Sequence, residues 1–352
     1  MKKQKTKTAG VISIVLCALC FFPAFVTIEK NDLESISANV LETDLIYRNE
    51  PYPSCHASTV LDTGEGILAA WFGGSFEKHP DVCIYAAFFI NGQWEKPFMV
   101  ADGIENQLIR NPCWNPVLFK RDNGDIILYY KVGPSPTTWY GAYKISTDNG
   151  KTWSRARRIP DNLLGPIKNK PVKSLNGGIL YPTSIEDDAG WRIHLEHSEQ
   201  DLSGWKKIAI DNGGFNAIQP SVLVYKDGRM QLLCRSRNQK IVESWSYDGG
   251  NTWNKVQVTS LPNNNSGIDA VTLSDEETQL LIYNPITTGR NKIALAASYD
   301  GKKWKDLLVL EDQEKGEFSY PAIIEGQDGK VYVTYTYNRT HIKYAVIEVI
   351  RK

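Results

Sequence analysis

The chain has 352 residues, of which 42% are hydrophobic and 23% are charged, and this composition suits one large globular domain or two modest ones. Its 40 Lys and Arg residues balance 40 Asp and Glu residues, so the formal net charge is zero. Because no positive field extends over the whole molecule, the composition argues against nucleic acid and anionic membranes as partners.

The N-terminus has the pattern of an export signal. Four lysines within the first seven residues precede the apolar run AGVISIVLCALCFFPAFV. This order is typical of a secretory signal, but the run also approaches the length of a membrane span, so an uncleaved anchor is the alternative. We expect a signal peptide or N-terminal anchor over residues 1–26, a linker over 27–43 and a folded domain over 44–352. The domain is expected in the periplasm or secreted, or held at the membrane if the signal is uncleaved.

Four cysteines lie beyond the export signal: Cys55, Cys83, Cys113 and Cys234. Their spacing matches neither a disulfide-rich scaffold nor a metal site, so we predict no metal and no cofactor. One or two disulfides and buried free thiols both remain open.

Two eight-residue segments share one pattern. STDNGKTW, at residues 146–153, and SYDGGNTW, at 246–253, place Ser, Asp, Gly, Thr and Trp at the same offsets, and the shorter SYDGKKW ends at Trp304. We interpret each segment as a turn in which the Asp carboxylate accepts backbone N–H groups, Gly adopts a left-handed conformation and Trp packs below. The pattern predicts a structural repeat without chemistry of its own.

A second series of repeats agrees with the first. Six segments have an apolar strand, a polar or Gly turn and another apolar strand, and they recur roughly every fifty residues. The first residues after the six turns are Ile67, Ile126, Ile179, Met230, Leu280 and Val331. A repeat of this length with about four strands is typical of a propeller blade. We therefore predict an all-β fold, a six-bladed β-propeller of four-stranded antiparallel blades, in which a strand near residue 45 completes the last blade.

The position just before each inner strand is polar in all six repeats. Counting back from each turn, with the turn of the third repeat interpreted as shorter by two residues, gives His56, Asn115, Lys170, Gln219, Asp269 and Tyr320, and four of these residues precede a proline. Polar side chains that converge on one mouth of a propeller predict a ligand site there. The alternative is a water-filled polar channel without chemistry.

The chain resembles the sialidase superfamily, in particular bacterial sialidase-like proteins with Asp-box (BNR) repeats, over nearly all of residues 50–345. GEFSYPAII resembles the segment that contains the nucleophilic tyrosine, which would be Tyr320. NPITTGRNKIALAASYDG resembles the segment with the third arginine of the carboxylate-binding triad, which would be Arg290. GRMQLLCRSR resembles the segment with the second arginine, which would be Arg235, with Arg237 as the other candidate.

Two positions depart from the sialidase pattern. His56 stands where the resemblance implies the first arginine, and Gln219 stands where it implies the glutamate that activates the tyrosine. Since an amide cannot accept a proton, Tyr320 lacks the expected base. The loop after the first blade, FGGSFEKHPDV, offers His79 and Asp81 as candidate acids.

These residues favour an enzyme that acts on the terminal uronate of an oligosaccharide by elimination. Arginines would neutralise the sugar carboxylate, and His56 and Tyr320 would act as base and acid, giving an unsaturated uronate by lyase or dehydratase chemistry. The alternatives are an exo-acting glycoside hydrolase, a sialidase or a relative, and a non-catalytic glycan-binding propeller. We expect a monomer whose partner is an acidic oligosaccharide. The predicted catalytic residues are His56, Tyr320 and Asp269, and the predicted substrate-binding residues are Arg235, Arg290, Arg237, Asn115, Lys170, Gln219, His79 and Asp81.

Overall fold

A computed structural model of the protein describes Met1 and residues 33–351. The predicted signal or anchor after Met1, and residues 27–32 of the predicted linker, lie outside the described residues. The described part consists of strands and loops with a single three-residue 3-10 turn, Leu33–Ser35. No helix in this part is long and apolar enough to cross a membrane.

The strands form six antiparallel sheets, which confirms the predicted six-bladed β-propeller. Blade 1 contains β2 (Ser54–Asp62), β3 (Ile67–Gly74), β4 (Cys83–Ile90), β5 (Gln93–Trp94) and β6 (Phe98–Ala101). Blade 2 contains β7 (Cys113–Lys120), β8 (Ile126–Val132), β9 (Tyr140–Ser146) and β10 (Arg157–Arg158). Blade 3 contains β11 (Val172–Lys173), β12 (Ile179–Asp187), β13 (Gly190–Ser198) and β14 (Lys206–Ala209).

The remaining three blades repeat this order of strands. Blade 4 contains β15 (Ala217–Val224), β16 (Met230–Ser236), β17 (Lys240–Ser246) and β18 (Gln257–Pro262). Blade 5 contains β19 (Asp269–Thr272), β20 (Gln279–Tyr283), β21 (Lys292–Ser298) and β22 (Lys305–Asp312). Blade 6 contains β23 (Phe318–Glu325), β24 (Val331–Tyr337), β25 (His341–Arg351) and β1 (Ile36–Leu45).

The ring is closed by the N-terminal strand, as the sequence predicts. β1 pairs with β25 in antiparallel register from Ile36 opposite Arg351 to Leu45 opposite Lys343. Closure of this kind covers the free edge that β25 would otherwise expose. β1 also corrects the domain boundary, because residues 36–43, assigned to the linker from sequence, form most of this strand.

The core lies between neighbouring blades. Every residue of β3, β8 and β16 is buried, because each of these strands is covered on both faces by adjacent blades. A cluster that includes Leu68, Ile84 and Leu128, for example, joins blades 1 and 2. The four cysteines are free and buried in this core.

The repeated turns, which we call Asp boxes, lie at the ends of third strands. In the first box, Ser146 Oγ donates to Asp148 Oδ1 at 2.7 Å, and Asp148 Oδ1 accepts from the backbone N of Thr152 at 2.8 Å. Gly150 has a φ of +90° and its N donates to Ser146 Oγ at 2.8 Å. The box at 246–253 has the same bonds, and Trp253 Nε1 donates to its glycine carbonyl at 3.0 Å. The structural reading of these turns is confirmed.

Candidate functional site

A two-residue bulge opens the inner strand of four blades at one end of the channel. In β2, β7, β15 and β23 the pairing register skips two residues, and the first skipped residue has a left-handed backbone. These residues are Ala57, Asn115, Gln219 and Tyr320, with φ of +56°, +42°, +55° and +51°. Bulges re-aim side chains and are over-represented beside active sites, so these four positions are candidates for a functional site.

The strand register also corrects the alignment of the other blades. His56 precedes the bulge, so Ala57 is the equivalent of Tyr320 in blade 1. In blade 3 the equivalent residue is Lys168, with φ of +72°, and not Lys170. In blade 5, Gln279 occupies the position that Met230 has in blade 4, because Gln279 pairs with Ser298 as Met230 pairs with Ser246. The blade 5 residue equivalent to Gln219 and Tyr320 is therefore Gly267 and not Asp269.

These equivalent positions meet at the channel axis. A Cβ atom placed on Gly267 would lie 3.3 Å from Gln219 Oε1, 3.3 Å from Lys168 Cε and 3.4 Å from Tyr320 Cγ. Residues from four blades therefore surround one point, and glycine in blade 5 leaves space beside the phenol.

Tyr320 and Arg235 form the centre of the mouth. Arg235, near the end of β16, donates from Nη1 to Tyr320 Oη at 2.5 Å and to Gln219 Oε1 at 3.1 Å. Gln219 Nε2 lies 3.5 Å from Tyr320 Oη, and Asn265 Oδ1 accepts from Arg235 Nη2 at 3.1 Å. The phenol oxygen thus faces a permanently charged hydrogen-bond donor at the centre of the mouth.

Two further arginines share a carboxylate beside the phenol. Arg290 Nη1 and Arg339 Nε contact Glu317 Oε1 at 2.9 and 2.7 Å, and Arg339 Nη1 contacts Glu77 Oε2 at 2.5 Å. Arg290 lies 5.7 Å from the centre of the Tyr320 ring. Although burial opposes it, Arg339 and Arg290 hold the pKa of the Glu317 carboxyl below its usual value. Glu317 thus acts as an ionised group that orients both guanidiniums.

His56 lies against the ring of Tyr320 rather than beside its oxygen. The two ring centroids are 4.1 Å apart, and His56 is only 2% exposed. Neither imidazole nitrogen has a hydrogen-bond partner among the described side chains and backbone groups. Burial, and then the nearby Arg339 and Arg290, hold the pKa of His56 well below its usual range. His56 is therefore a neutral packing partner of the phenol.

The opposite rim of the mouth carries Trp191, Arg237 and Glu186. Trp191, at the start of β13, stacks with Arg237 at 4.0 Å and lies 5.2 Å from Arg235. Glu186, at the end of β12, is half-buried and has no ion pair within the described part of the chain. Burial raises the pKa of the Glu186 carboxyl, Arg235 and Arg237 lower it, and Glu77 raises it again.

Asp269 and Lys170 are brought together in a structural network below the mouth. Lys170 Nζ contacts Asp269 Oδ2 at 2.8 Å, and Ser221 Oγ donates to Asp269 Oδ1 at 2.8 Å. The backbone N groups of Ile323 and Ala270 donate to the same carboxylate at 3.0 and 2.9 Å. Asp269 is 3% exposed, so its oxygens serve to join blades 3, 4, 5 and 6 and have no access to a ligand.

Lys168 closes the channel beneath Tyr320. Its ammonium donates to Asn169 Oδ1 and to the carbonyl of Ile268, both at 2.8 Å, and to the carbonyl of Pro321. Burial lowers the pKa of Lys168 to about 7, with opposing attraction from Asp269. The lysine that closes the channel is thus the blade 3 equivalent of the bulge residues in the other blades.

The remaining predicted residues are Asn115, His79 and Asp81. Asn115 is 5% exposed at the axial position of blade 2. His79 Nδ1 contacts Asp81 Oδ1 at 2.8 Å, and Ser75 donates to Asp81 through its N at 3.0 Å and its Oγ at 2.5 Å. Asp81 is thus bonded within its own loop, and Glu77 is the residue of that loop that contacts Arg339.

The family assignment rests on a match over most of the propeller. The model of the BNR repeat-like domain matches residues 65–333. The chain belongs to this family. No curated protein sequence matches the chain significantly.

Solved structures share the fold of this BNR propeller at low sequence identity. A protein of unknown function from Dyadobacter fermentans has a TM-score of 0.74 and 18% identity, over 90% of this chain and 100% of that chain. The NanB sialidase from Streptococcus pneumoniae has a TM-score of 0.69 and 12% identity, over 88% and 70%. Trypanosoma rangeli sialidase has a TM-score of 0.67 and 15% identity, over 86% and 55%. The chain is thus a sialidase-like BNR propeller.

Sequence reasoning missed five residues of the BNR propeller's mouth: Glu77, Glu186, Trp191, Glu317 and Arg339. All lie in loops or at strand ends outside the inner strands that were aligned. Asn338 and Arg339, both at positive φ in the turn between β24 and β25, could have been found by extending the comparison to second-strand turns.

Proposed function

We propose that this BNR propeller is an exo-acting glycoside hydrolase that binds the carboxylate of a terminal acidic sugar, as a sialidase or a relative does. The observation that carries the proposal is the 2.5 Å contact from Arg235 to Tyr320 Oη, with Arg290 and Arg339 fixed on Glu317 beside the same phenol. The BNR family and the sialidase-like fold also suggest that the protein acts on carbohydrates.

The three guanidiniums supply a site for a carboxylate. Arg235 and Arg290 reach the Tyr320 ring at 5.5 and 5.7 Å, and Arg339 adds a third cation on the His56 side. Planar, permanently charged forks match the geometry of a carboxylate, which makes an acidic sugar the favoured ligand class. Arg339 thereby takes the place of the first arginine that is lost at His56.

Tyr320 is the group best placed to react with the sugar. Its oxygen accepts a hydrogen bond from Arg235 and could attack the anomeric carbon as its proton passes to solvent and the bond to the leaving oxygen breaks. Water would then displace Tyr320 from the anomeric carbon and release the sugar. Protonation of the leaving oxygen needs an acid at the rim, where Glu77 and Glu186 lie. Glu186 is the better candidate because burial raises its pKa.

Elimination from a terminal uronate is the second candidate, and Gln219 favours it. Gln219 lies next to Tyr320 where a carboxylate base would be needed for nucleophilic attack, and an amide cannot take the proton. Tyr320 could instead remove the proton next to a carboxylate that the arginines neutralise, while Glu186 at the rim protonates the leaving oxygen as its bond to carbon breaks. His56 packs against the ring of Tyr320 and not beside its oxygen, which disfavours His56 as base or acid. In this mechanism Tyr320 would therefore act without His56.

The location of the activity is also proposed, because the export signal lies outside the described residues. We place the enzyme in the periplasm or outside the cell, acting as a monomer on acidic oligosaccharides without a cofactor. Fractionation of cells that express the full chain, followed by immunodetection, would test this; cytoplasmic retention would contradict it.

One assay separates the candidate functions. The purified protein is incubated with sialyllactose and with uronate-ended oligosaccharides, and free acidic sugar and ultraviolet absorbance of a conjugated enoate are followed in parallel. Release of the acidic sugar without new absorbance supports hydrolysis, whereas new absorbance supports elimination. Binding of these glycans without any product would support a glycan-binding propeller and contradict both enzymatic proposals.

A further inference from the structure

A groove between blades 2 and 3 opens beside the mouth. Its cavity volume is about 460 Å³. Its walls come from the loop between β8 and β9, from the segment that follows β10, and from the end of β12. The residues that the argument uses are Thr137, Trp139, Tyr140, Arg158, Asn162 and Glu186.

Glu186 connects the groove to the mouth. It lines the groove, and its carboxyl lies within electrostatic reach of Arg235, Arg237 and Glu77. It has no hydrogen bond or ion pair within residues 33–351. A molecule that extends from the arginines toward blade 3 must therefore pass this free carboxyl group.

The groove walls have the chemistry of a sugar subsite. Trp139 is held edge-on against Trp114 with ring centroids 5.7 Å apart, and Arg158 lies 4.1 Å above the ring of Tyr140. Thr137 and Asn162 are exposed and add hydroxyl and amide groups. Trp139 is buried behind this wall, and Asp161, Asp187 and Lys207 add charged groups to the lining. Hydroxyl, amide and charged groups beside the half-buried Tyr140 suit the polar groups and the apolar face of a sugar.

We infer that this groove binds the neutral sugars next to the terminal acidic sugar, so that the enzyme acts on oligosaccharide chains in preference to single glycosides. The inference rests on the proposed function, since it presumes an acidic sugar at the arginines. Glu186 would contact the glycosidic junction, and the groove would hold the leaving part of the chain.

The adjacent groove between blades 1 and 2 fits this role less well. It has a volume of about 540 Å³ and shares Tyr140 and Arg158 with the first groove. Its other walls carry Lys144, Arg155 and Arg157, and none of the mouth residues described above lines it. A glycan held at the arginines would have no direct path into it.

A pair of neighbouring threonines provides a matched test. Thr137 lines the groove, whereas Thr138 does not, and both are exposed and bonded to Ser135. The variant Thr137→Trp places an indole in the groove, and Thr138→Trp adds the same bulk outside it. Activity is measured on the methyl glycoside of the acidic sugar and on its tri- or tetrasaccharide.

We expect Thr137→Trp to lower kcat/KM on the oligosaccharide by about tenfold and to leave the methyl glycoside unchanged, because only the longer substrate loses binding energy. Thr138→Trp should match the wild type on both. Equal activity of the two variants on the oligosaccharide would overturn the groove assignment.

Failure of the proposed function would look different. If the wild type releases no product from any of these sugars, binding can be measured instead. Sialyllactose and a uronate-ended tetrasaccharide are titrated by calorimetry into the wild type and both threonine variants. Weaker binding to Thr137→Trp alone supports the groove even then. Equal binding to all three proteins, or none, rejects it.

Discussion

The two ends of the propeller are built from the same repeat and yet differ in where their polar groups bond. At the Asp-box end, each Asp and Ser bonds within its own eight-residue turn, and the copies in blades 2 and 4 have the same contacts. At the mouth, Arg235 bonds to residues of blades 4 and 6 and to the loop before blade 5. Locally satisfied turns serve the scaffold, whereas contacts between blades bring polar side chains of separate repeats together at one mouth.

The largest effect should follow loss of the phenol at the mouth. Tyr320→Phe keeps the ring that packs against His56 but removes the oxygen that accepts from Arg235. We expect kcat to fall on the order of a thousandfold without a change in Tm. Tyr247→Phe, an exposed tyrosine within the second Asp box, is the control and should keep full activity. Retained turnover in Tyr320→Phe would remove the central group of the proposal.

Loss of Arg339 should weaken carboxylate binding more than chemistry. Arg339→Ala leaves Arg290 on Glu317 but removes one of the three cations, so KM should rise roughly 10–100-fold with a smaller change in kcat. The preference for the acidic sugar over its methyl ester should shrink as well. Arg351→Ala, which breaks an ion pair with Asp275 away from the mouth, is the comparison. An unchanged KM would limit the site to Arg235 and Arg290.

A carboxylate in place of Gln219 should distinguish the two enzymatic mechanisms. In Gln219→Glu the new group would lie beside Tyr320 and Arg235 and could accept the phenol proton. Under hydrolysis we expect a rate increase of about tenfold, with an acidic limb in the pH profile of kcat where the new carboxylate protonates. Under elimination the rate should fall, because the added charge opposes a carbanion. Gln257→Glu, exposed on β18, controls for the charge alone.

The smallest effect on activity should come from the Asp-box end. Asp148→Asn should lower Tm by about 2–4 °C, because hydrogen bonds to the carboxylate weaken, with no change in kcat below the transition. Glu348→Gln on the exposed face of β25 is the control. A loss of kcat in Asp148→Asn would mean that the two ends are coupled.

The Asp148 carboxylate also determines in which direction the stability of the protein should change with pH. Hydrogen bonds from Thr152 and Ser146 lower the pKa of Asp148 to about 2 from an ordinary 3.8. Because the pKa of Asp148 is lower in the folded protein, the ionised carboxylate stabilises the fold at every pH above its pKa in the unfolded chain. This stabilisation is lost as the pH falls through the pKa of Asp148 in the folded protein. The stability difference between wild type and Asp148→Asn should therefore be full at neutral pH and vanish in strong acid. Thermal unfolding followed across this range would check it.

Sequence patterns located the mouth because strand hairpins have local signals, but they misplaced three positions in it. The turn of blade 5, between Thr272 and Gln279, is longer than those of blades 2, 4 and 6, so the count gave Asp269 instead of Gly267. In blade 3 the turn between Lys173 and Ile179 has the same length as in blade 2, so the shorter turn expected there wrongly selected Lys170 instead of Lys168. The turn of blade 1, between Asp62 and Ile67, is shorter than those of blades 2, 4 and 6, and this difference moved the count from Ala57 to His56. A turn that gains or loses a residue changes the register of its blade without a clear compositional signal, so a uniform count misplaces the residues of that blade.

The sequence by itself determined the number of blades, the strand hairpins and the Asp boxes, because each depends on turn chemistry and alternation within about fifty residues. Only the tertiary structure decided which polar groups act together. Arg339 and Arg290 both contact Glu317, and the Asp269 carboxylate accepts hydrogen bonds from Lys170 and Ser221. These contacts join residues that are far apart in the chain. Such contacts depend on ring closure and strand register, which bring together side chains that no local pattern relates.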